Sequence, residues 1–271
     1  MTEQARAKLN LALHVTGRRA DGYHLIDSIV VFAEIGDVVT IAPGPLSLTV
    51  SGPFAAGLEG EGDNLCLRAA RLAGAEVAIT LEKNLPVAAG IGGGSADAAA
   101  VLRGLAREGS AMPRDVTALG ADVPVCLAGA PARMRGIGEV LDPLPPLPAL
   151  DLVLVNPGVA VSTPEVFTAL AQRDHAPLPP PEWRDRGELL DYLRACRNDL
   201  EPAAMALAPP IADVLAALEG AGAELARMSG SGATCFGIFP GARVAATAAD
   251  ALSQRGWWAA ATRLAPQPAS G

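Results

Sequence analysis

Aromatic residues are scarce in this chain. Phe, Trp and Tyr make up 4% of its 271 residues, with only two tyrosines. A core so poor in rings has to be filled by Ala, Val, Leu and Ile, and a composition that is 50% hydrophobic supplies them. Charge is thin as well, at 18%, and its balance is acidic: 21 Lys and Arg against 29 Asp and Glu, a net charge of −8. That argues against a nucleic-acid partner, which needs a basic face, but leaves room for a small anionic substrate held at a local positive site. Cysteine is sparse and scattered. Cys66, Cys126, Cys196 and Cys235 form no C-x-x-C pair, so zinc and disulfide frameworks are not expected and buried thiols in a reducing compartment are. No apolar run reaches the roughly 18 residues of a membrane span. The first eight residues carry an acid and no apolar stretch of the signal-peptide kind. A compact cytoplasmic protein with no membrane partner is expected, long enough for two domains or one large one.

Two common phosphate motifs are missing too. No Gly-Lys-Ser/Thr is present, which removes the ordinary P-loop, and position 95 is serine where a G-x-G-x-x-G would end. What is present is a glycine loop of another kind: Leu85, Pro86, Val87, Ala88, Ala89, Gly90, Ile91, Gly92, Gly93, Gly94 and Ser95, running into Ala96, Asp97 and an alanine run. Glycine allows strained backbone angles and close approach of a ligand to the main chain. Alanine is the strongest helix former, so a helix is predicted over 95–107 with Ser95 near its N-cap. A flexible loop feeding a helix N-terminus gathers unpaired N–H groups and partial positive charge at one point, which makes an anion site. An interdomain linker is the competing reading of such a run. Its place between a strand-like segment, 76–81, and a helix, deep in a hydrophobic chain, disfavours that.

The rest of the pattern alternates strands and helices. From Lys8 to Val15 the period of two puts Lys8, Asn10, Ala12 and His14 on one face and Leu9, Leu11, Leu13 and Val15 on the other, a half-buried strand. Lys8 and Asn10 then point the same way, either into a solvated edge or into a site. A turn-rich stretch, 17–24, sets Tyr23 beside His24, a pair able to stack on a flat ring and hydrogen-bond its edge. A long strand or a hairpin is expected over 28–41, with a bend or turn at Gly36-Asp37, and a short strand over 46–50. A helix is expected over 63–72, capped by Asp63, and a short one from Met112. Asp122 stands between Gly120 and Pro124 ahead of an apolar, strand-like run, 123–127. A strand with a glycine bend covers 133–140. Four prolines within 142–148 form a stiff connector, which divides the chain into domains 1–148 and 149–271. Beyond it come a strand over 151–156, a helix start at Ser162-Thr163-Pro164, and helices over 186–195, 199–207 and 211–218. A strand-turn-strand through Ser229, Gly230, Ser231 and Gly232, a helix over 242–254 and a strand over 257–263 close the chain, and the last few residues read as disordered.

Phosphoryl transfer asks for a phosphate cradle, a cation near the moving group and an acceptor for the hydroxyl proton. The chain offers a candidate for each in Gly90–Ser95, Lys8 and Asp122.

At this point the chain resembles the GHMP kinase family. The matching stretches run in the family's order over nearly the whole length: Ala7–Leu11, Gly22–His24, Asp63–Leu65, Pro86–Ala98, Gly120–Pro124, Gly136–Glu139, Pro157-Gly158 with Ser162–Pro164, and Ser229–Gly232. The resemblance implies an α/β (α+β) two-domain fold with the active site in the interdomain cleft, ATP as phosphoryl donor and Mg²⁺ as its companion. It places the catalytic pair on Lys8 and Asp122. ATP binding falls on Asn64 and the loop from Leu85 to Ala96, with Ser95 a possible metal contact, and Ser229–Gly232 support the loop. The Gly-Tyr-His and Gly-Ala-Asp-Val-Pro segments point to a cytidine-diphosphate-linked polyol as acceptor, held by Asn10, Tyr23, His24, Asp122, Thr163 and Phe167. Another family member acting on homoserine, mevalonate or a sugar, and a non-catalytic nucleotide-binding module, are the alternatives. Two departures stand out. Where the family often has Ser-Ser-Asn, this chain has Ser95-Ala96-Asp97, and an added carboxylate there weakens triphosphate binding unless a cation offsets it. The segment between Leu105 and Gly120 is also short.

Overall fold

The computed structural model describes residues 1–58 and 63–267; the chain end read as disordered lies partly outside them. Two strands open the chain, β1 (Thr2–Arg18) and β2 (His24–Pro43). Gly36-Asp37 does not break β2, which runs on as one strand of 20 residues. Nor is β1 half-buried. Every residue from Ala7 to Val15 is buried, Lys8, Asn10 and His14 included, so the solvated-edge alternative fails. Burying a leucine fully contributes about 1.5–3 kcal/mol, and Leu9, Leu11 and Leu13 supply three such terms in one strand.

The chain forms two compact units that do not follow sequence order. The first takes Met1–Lys8, Ile35–Val87 and Gly92–Ala130; the second takes Leu9–Glu34, Ala88–Ile91 and Pro131–Gly271.

In the first unit β4 (Val77–Glu82) pairs antiparallel with the end of β2, Val38 opposite Glu82 and Pro43 opposite Val77. On its other side β4 pairs parallel with β3 (Ser47–Ser51). Helices α1 (Leu65–Leu72) and α2 (Gly93–Arg107) pack on each other. Asn64, rather than Asp63, caps α1: its Oδ1 accepts from the Cys66 amide at 2.9 Å. Where a short helix was expected from Met112 there is irregular chain, then a single 3-10 turn over Thr117–Leu119. The apolar run after Asp122 is a helix, α3 (Val123–Ala128). Pro124 fits its first turn and Gly129, in the left-handed region, ends it, so cap chemistry outweighs the β-branched composition.

In the second unit β5 (Ala132–Gly136) pairs with the start of β2, Ile26 opposite Gly136, and turns through Ile137–Glu139 into β6 (Val140–Pro143). The expected single strand over 133–140 is thus two strands of a hairpin. Past the proline connector, β7 (Asp151–Asn156), β8 (Leu225–Met228), β9 (Cys235–Phe239) and β10 (Trp258–Arg263) form an antiparallel sheet in the order β10-β7-β9-β8. Between them come α4 (Thr163–Thr168), α5 (Arg186–Ala195), α6 (Glu201–Leu207) and α7 (Pro210–Gly220), with α8 (Ala242–Ser253) before the last strand. Val153, Val155, Met228 and Phe239 of the sheet share one core with Val214, Leu218, Ala245 and Leu252 of the helices. Among the described residues no single helix is long and apolar enough to cross a membrane. Helices α6 and α7 reach that length only jointly, and they are bent by 120° at their junction.

Candidate active site

The glycine loop enters α2 as predicted, with one shift. Gly92, at φ +63°, is the N-cap, and Ser95 sits inside the first turn. Glycine takes the left-handed angle without the steric penalty of a side chain. The first intrahelical bond runs from the Ala96 amide to the Gly92 carbonyl at 2.8 Å, so the amides of Gly93, Gly94 and Ser95 open the helix with no acceptor inside it.

Gly92 lies directly on the acid–base candidates. Lys8, from β1, reaches Asp122, at the N-cap of α3, with Nζ 3.0 Å from Oδ2. A Cβ on Gly92 would stand 3.1 Å from Lys8 Cε and 3.7 Å from Asp122 Oδ2. The side chain of Lys8 is 4% exposed and that of Asp122 31%, so the ammonium is enclosed while the carboxylate faces out. Ser95 is close by: its Oγ is 3.6 Å from where a Cβ on Gly120 would be. Asn64 is buried, with its side chain engaged in capping α1.

Within the second unit, Ala88–Ile91 is braced by the turn between β8 and β9. A Cβ on Gly90, at φ +72°, would be 2.6 Å from the carbonyl oxygens of both Ser229 and Gly232. Ser229 Oγ donates to the Gly90 carbonyl at 3.1 Å and accepts from the Asn10 amide at 3.1 Å, while the Thr234 amide donates to the Ala89 carbonyl at 3.0 Å. Gly230 approaches from the same turn; its Cβ would be 2.9 Å from the Gly90 oxygen. Ser231 Oγ is 2.7 Å from Thr163 Oγ1, which ties this turn to α4. Asn10 is buried, and its side-chain amide donates to Ser28 Oγ at 2.7 Å.

His24 and Phe167 meet face to face, ring centroids 4.7 Å apart and planes at 21°. His24 Nε2 is closed off from solvent yet has no hydrogen-bond partner. Burial, and after it Arg18 and Arg173, hold its imidazole below the usual histidine range. Tyr23 is the outlier of the expected pocket: it is 61% exposed.

One cluster had no place in the sequence reading. Lys83, just past β4, sits between two buried carboxylates, Nζ to Asp37 Oδ2 at 2.5 Å and to Asp97 Oδ2 at 2.8 Å. Asp37 Oδ1 also accepts from the amides of Asn84 and Leu85, at 2.6 and 2.8 Å, where the glycine loop begins. Asp97 lies just beyond the loop's other end, and a Cβ on Gly93 would be 3.1 Å from Lys83 Nζ. Burial pulls the Lys83 ammonium down and the two carboxylates more than reverse it, so it stays charged. Burial pushes the Asp97 carboxyl up to about 7 against the pull of Lys83. The carboxylate added at Asp97 therefore has its offsetting cation inside the protein. The hints in sequence were a lysine ending an apolar strand and an aspartate read only as a bend. Among the described residues no group of three or more His, Cys, Asp or Glu is placed to hold a metal ion.

Residues 64–132 match the GHMP kinases N-terminal domain and residues 157–256 the GHMP kinases C-terminal region. The chain belongs to the GHMP kinase family, the ATP-dependent small-molecule phosphotransferases. Within it, the chain is 66% identical over 268 residues to the 4-diphosphocytidyl-2-C-methyl-D-erythritol kinase of Paracoccus denitrificans, covering 97% of each chain. It is 57% identical over 272 residues to the enzyme of that name from Ruegeria pomeroyi, covering 96% of this chain and 98% of the other. A crystal structure of 4-(cytidine 5'-diphospho)-2C-methyl-D-erythritol kinase, 36% identical, superposes with a TM-score of 0.80 over 98% of this chain and 100% of its own.

Proposed function

We propose that this chain transfers the γ-phosphoryl group of ATP to a hydroxyl of 4-diphosphocytidyl-2-C-methyl-D-erythritol, releasing the 2-phosphate and ADP, as a cytoplasmic step of non-mevalonate isoprenoid precursor synthesis. The observation that carries the chemistry is Gly92, the cap of α2, lying against the Lys8–Asp122 pair. A phosphate cradled by the amides of Gly93–Ser95 is thereby next to the one carboxylate and one ammonium the transfer needs. The acceptor oxygen bonds the γ-phosphorus, the bond to the β–γ bridging oxygen breaks, and ADP leaves with that electron pair. Asp122 orients the hydroxyl and accepts its proton as the bond forms. Lys8, 3.0 Å away, holds the Asp122 carboxyl group in position through the ion pair. The cytosine reading rests on His24 and Phe167, whose stack supplies a ring face and whose unpartnered Nε2 supplies an edge contact.

We assign the nucleotide to Asn64 and the loop from Leu85 to Ala96, loop support to Ser229–Gly232, and the acceptor to Asn10, Tyr23, His24, Thr163 and Phe167, and we place the division between the family halves at the proline connector, 1–148 and 149–271. The donors near Gly92 suit a Mg²⁺ ion that arrives with the nucleotide. They are the Ser95 hydroxyl and the outward-facing Asp122 carboxylate, too few for a protein cage and enough for an ion that keeps phosphate and water oxygens. Bound there, Mg²⁺ would neutralise phosphate charge. The test is ADP release from ATP and Mg²⁺ with the cytidine compound, beside homoserine and mevalonate, for the parent and Asp122→Asn. Turnover with the cytidine compound alone, lowered about 10²-fold or more in the variant, is expected. Turnover with another acceptor would refute the substrate, and an unimpaired variant would refute the role of Asp122.

A further inference from the structure

His24 Nε2 has company. Arg173 Nε is likewise closed off from solvent with no hydrogen-bond partner, and the two belong to one neighbourhood. Arg173 donates from Nη2 to the carbonyl of Thr168 at 2.8 Å; Thr168 follows Phe167, the ring stacked on His24. From the other side Arg18 donates from Nε to the carbonyl of Gly22 at 3.2 Å, one residue before Tyr23. The next arginine along, Arg19, is already paired with Asp21 at 2.7 Å. Both Arg18 and Arg173 act electrostatically on the His24 ring. In a chain of net charge −8, the aromatic pocket is thus flanked by two guanidiniums whose hydrogen bonds go to backbone carbonyls and leave their positive charge available.

We propose that Arg173, together with Arg18, is the subsite for the diphosphate of the acceptor, adjoining the His24–Phe167 base pocket. The inference rests on the acceptor reading given above. A guanidinium presents its N–H donors as a planar fork that matches two phosphate oxygens at once, and charge-assisted bonds of this kind are the strong ones. With Nη2 held by Thr168, the guanidinium of Arg173 is fixed in direction before a ligand arrives, and its charge, met only by a neutral carbonyl, is left for a phosphate. The competing account is that Arg173 merely ties off the Thr168 carbonyl behind Phe167. That account predicts equal losses for any ligand of the aromatic pocket. The subsite predicts a loss confined to ligands that carry phosphates.

The experiment titrates CDP and cytidine into the parent, Arg173→Gln, Arg173→Lys and the double variant Arg18→Gln/Arg173→Gln. A non-hydrolysable ATP analogue keeps the nucleotide loop filled, and thermal melts verify folding. The parent is expected to bind CDP more tightly than cytidine. Arg173→Gln is expected to lose about tenfold in CDP affinity with cytidine unchanged, a shift of about 1.4 kcal/mol. Arg173→Lys should recover part of it, since an ammonium keeps the charge without the fork. In the double variant the preference for CDP should disappear. If both glutamine variants keep the parent's CDP-to-cytidine ratio, or lose both ligands equally, the subsite is refuted while the base pocket stands. If the parent binds neither probe, the acceptor reading fails and the subsite falls with it.

Discussion

Replacing Lys83 by Met should expose how the glycine loop is held. The side chains of Lys83, Asp37 and Asp97 are 3%, 0% and 3% exposed, so removing the ammonium leaves two carboxylates out of water with no counter-charge between them. Breaking a buried ion pair in this way costs about 3–5 kcal/mol. For a chain of this size that lowers the melting temperature by about 10 °C. The loss should depend on pH, with a sign that can be worked out. Already in the parent, burial holds the Asp97 carboxyl at about 7, and without Lys83 it climbs further above the ordinary value. A carboxyl whose folded value lies above its unfolded one binds extra protons in the folded state, so its stabilising protonation is present at low pH and lost as pH rises through that window. Urea unfolding of parent and variant is therefore expected to give a smaller difference at pH 5, where Asp97 is protonated and only the Lys83–Asp37 pair is lost, than at pH 8, where both pairs are. Adding Asp97→Asn to the Lys83→Met variant should recover more than half of the loss at pH 8. A deficit under about 1 kcal/mol at pH 8, or equal deficits at both pH values, would show that the carboxylates do not depend on Lys83 as argued.

Three further outcomes follow from other parts of the structure. Gly90→Ala places a Cβ 2.6 Å from two carbonyl oxygens at a φ of +72°, so the loop must shift; KM for ATP should rise at least about tenfold, and an unchanged KM would sink the proposed bracing role of Ser229–Gly232. Phe167→Ala removes the ring 4.7 Å from His24, and a stack of this kind is worth about 0.5–1.5 kcal/mol, so acceptor KM should rise severalfold with KM for ATP unmoved; a rise in both would count against a base pocket. All four cysteines are buried, and burial pushes the thiols of Cys66 and Cys126 far above their ordinary range, so a thiol-disulfide reagent should label none of them until the chain unfolds; rapid labelling of the native protein would contradict that burial.

Much of the candidate site's backbone could be read from local sequence, because its signals are local. The glycine loop, the alanine helix behind it and the Ser229–Gly232 turn each carry their own backbone signal, and the structure joins loop and turn through Gly90. The helix Arg186–Ala195 and the strand Asp151–Asn156 coincide with their expected bounds for the same reason. Lys8 and Asp122 were single residues far apart in the chain, and only the fold shows that they meet at 3.0 Å. The misreadings share a cause. Alternation in β1 suggested one wet face, but a strand buried on both faces can still alternate when its polar side chains find partners, as Asn10 does in Ser28. Val123–Ala128 reads as strand by composition and is turned into helix by Pro124 and Gly129. Lys83, Asp37 and Asp97 are ordinary charges in sequence, and only their joint burial makes them a cluster.

The interleaving of the two units bears on how the chain is made. The second unit needs Leu9–Glu34 together with everything from Pro131 onward, so that stretch emerges from the ribosome long before its partners exist. At synthesis rates of about 5–20 residues per second, the interval is on the order of ten seconds or more. Throughout it Leu9, Leu11, Leu13 and the Ile29–Ala33 run, all destined for complete or nearly complete burial, lack the later residues of their unit that cover them. The first unit has all its residues by Ala130 and is able to assemble early. A nascent chain arrested near that point would thus carry one finished body and one sticky ribbon, the form in which holding chaperones would be most needed.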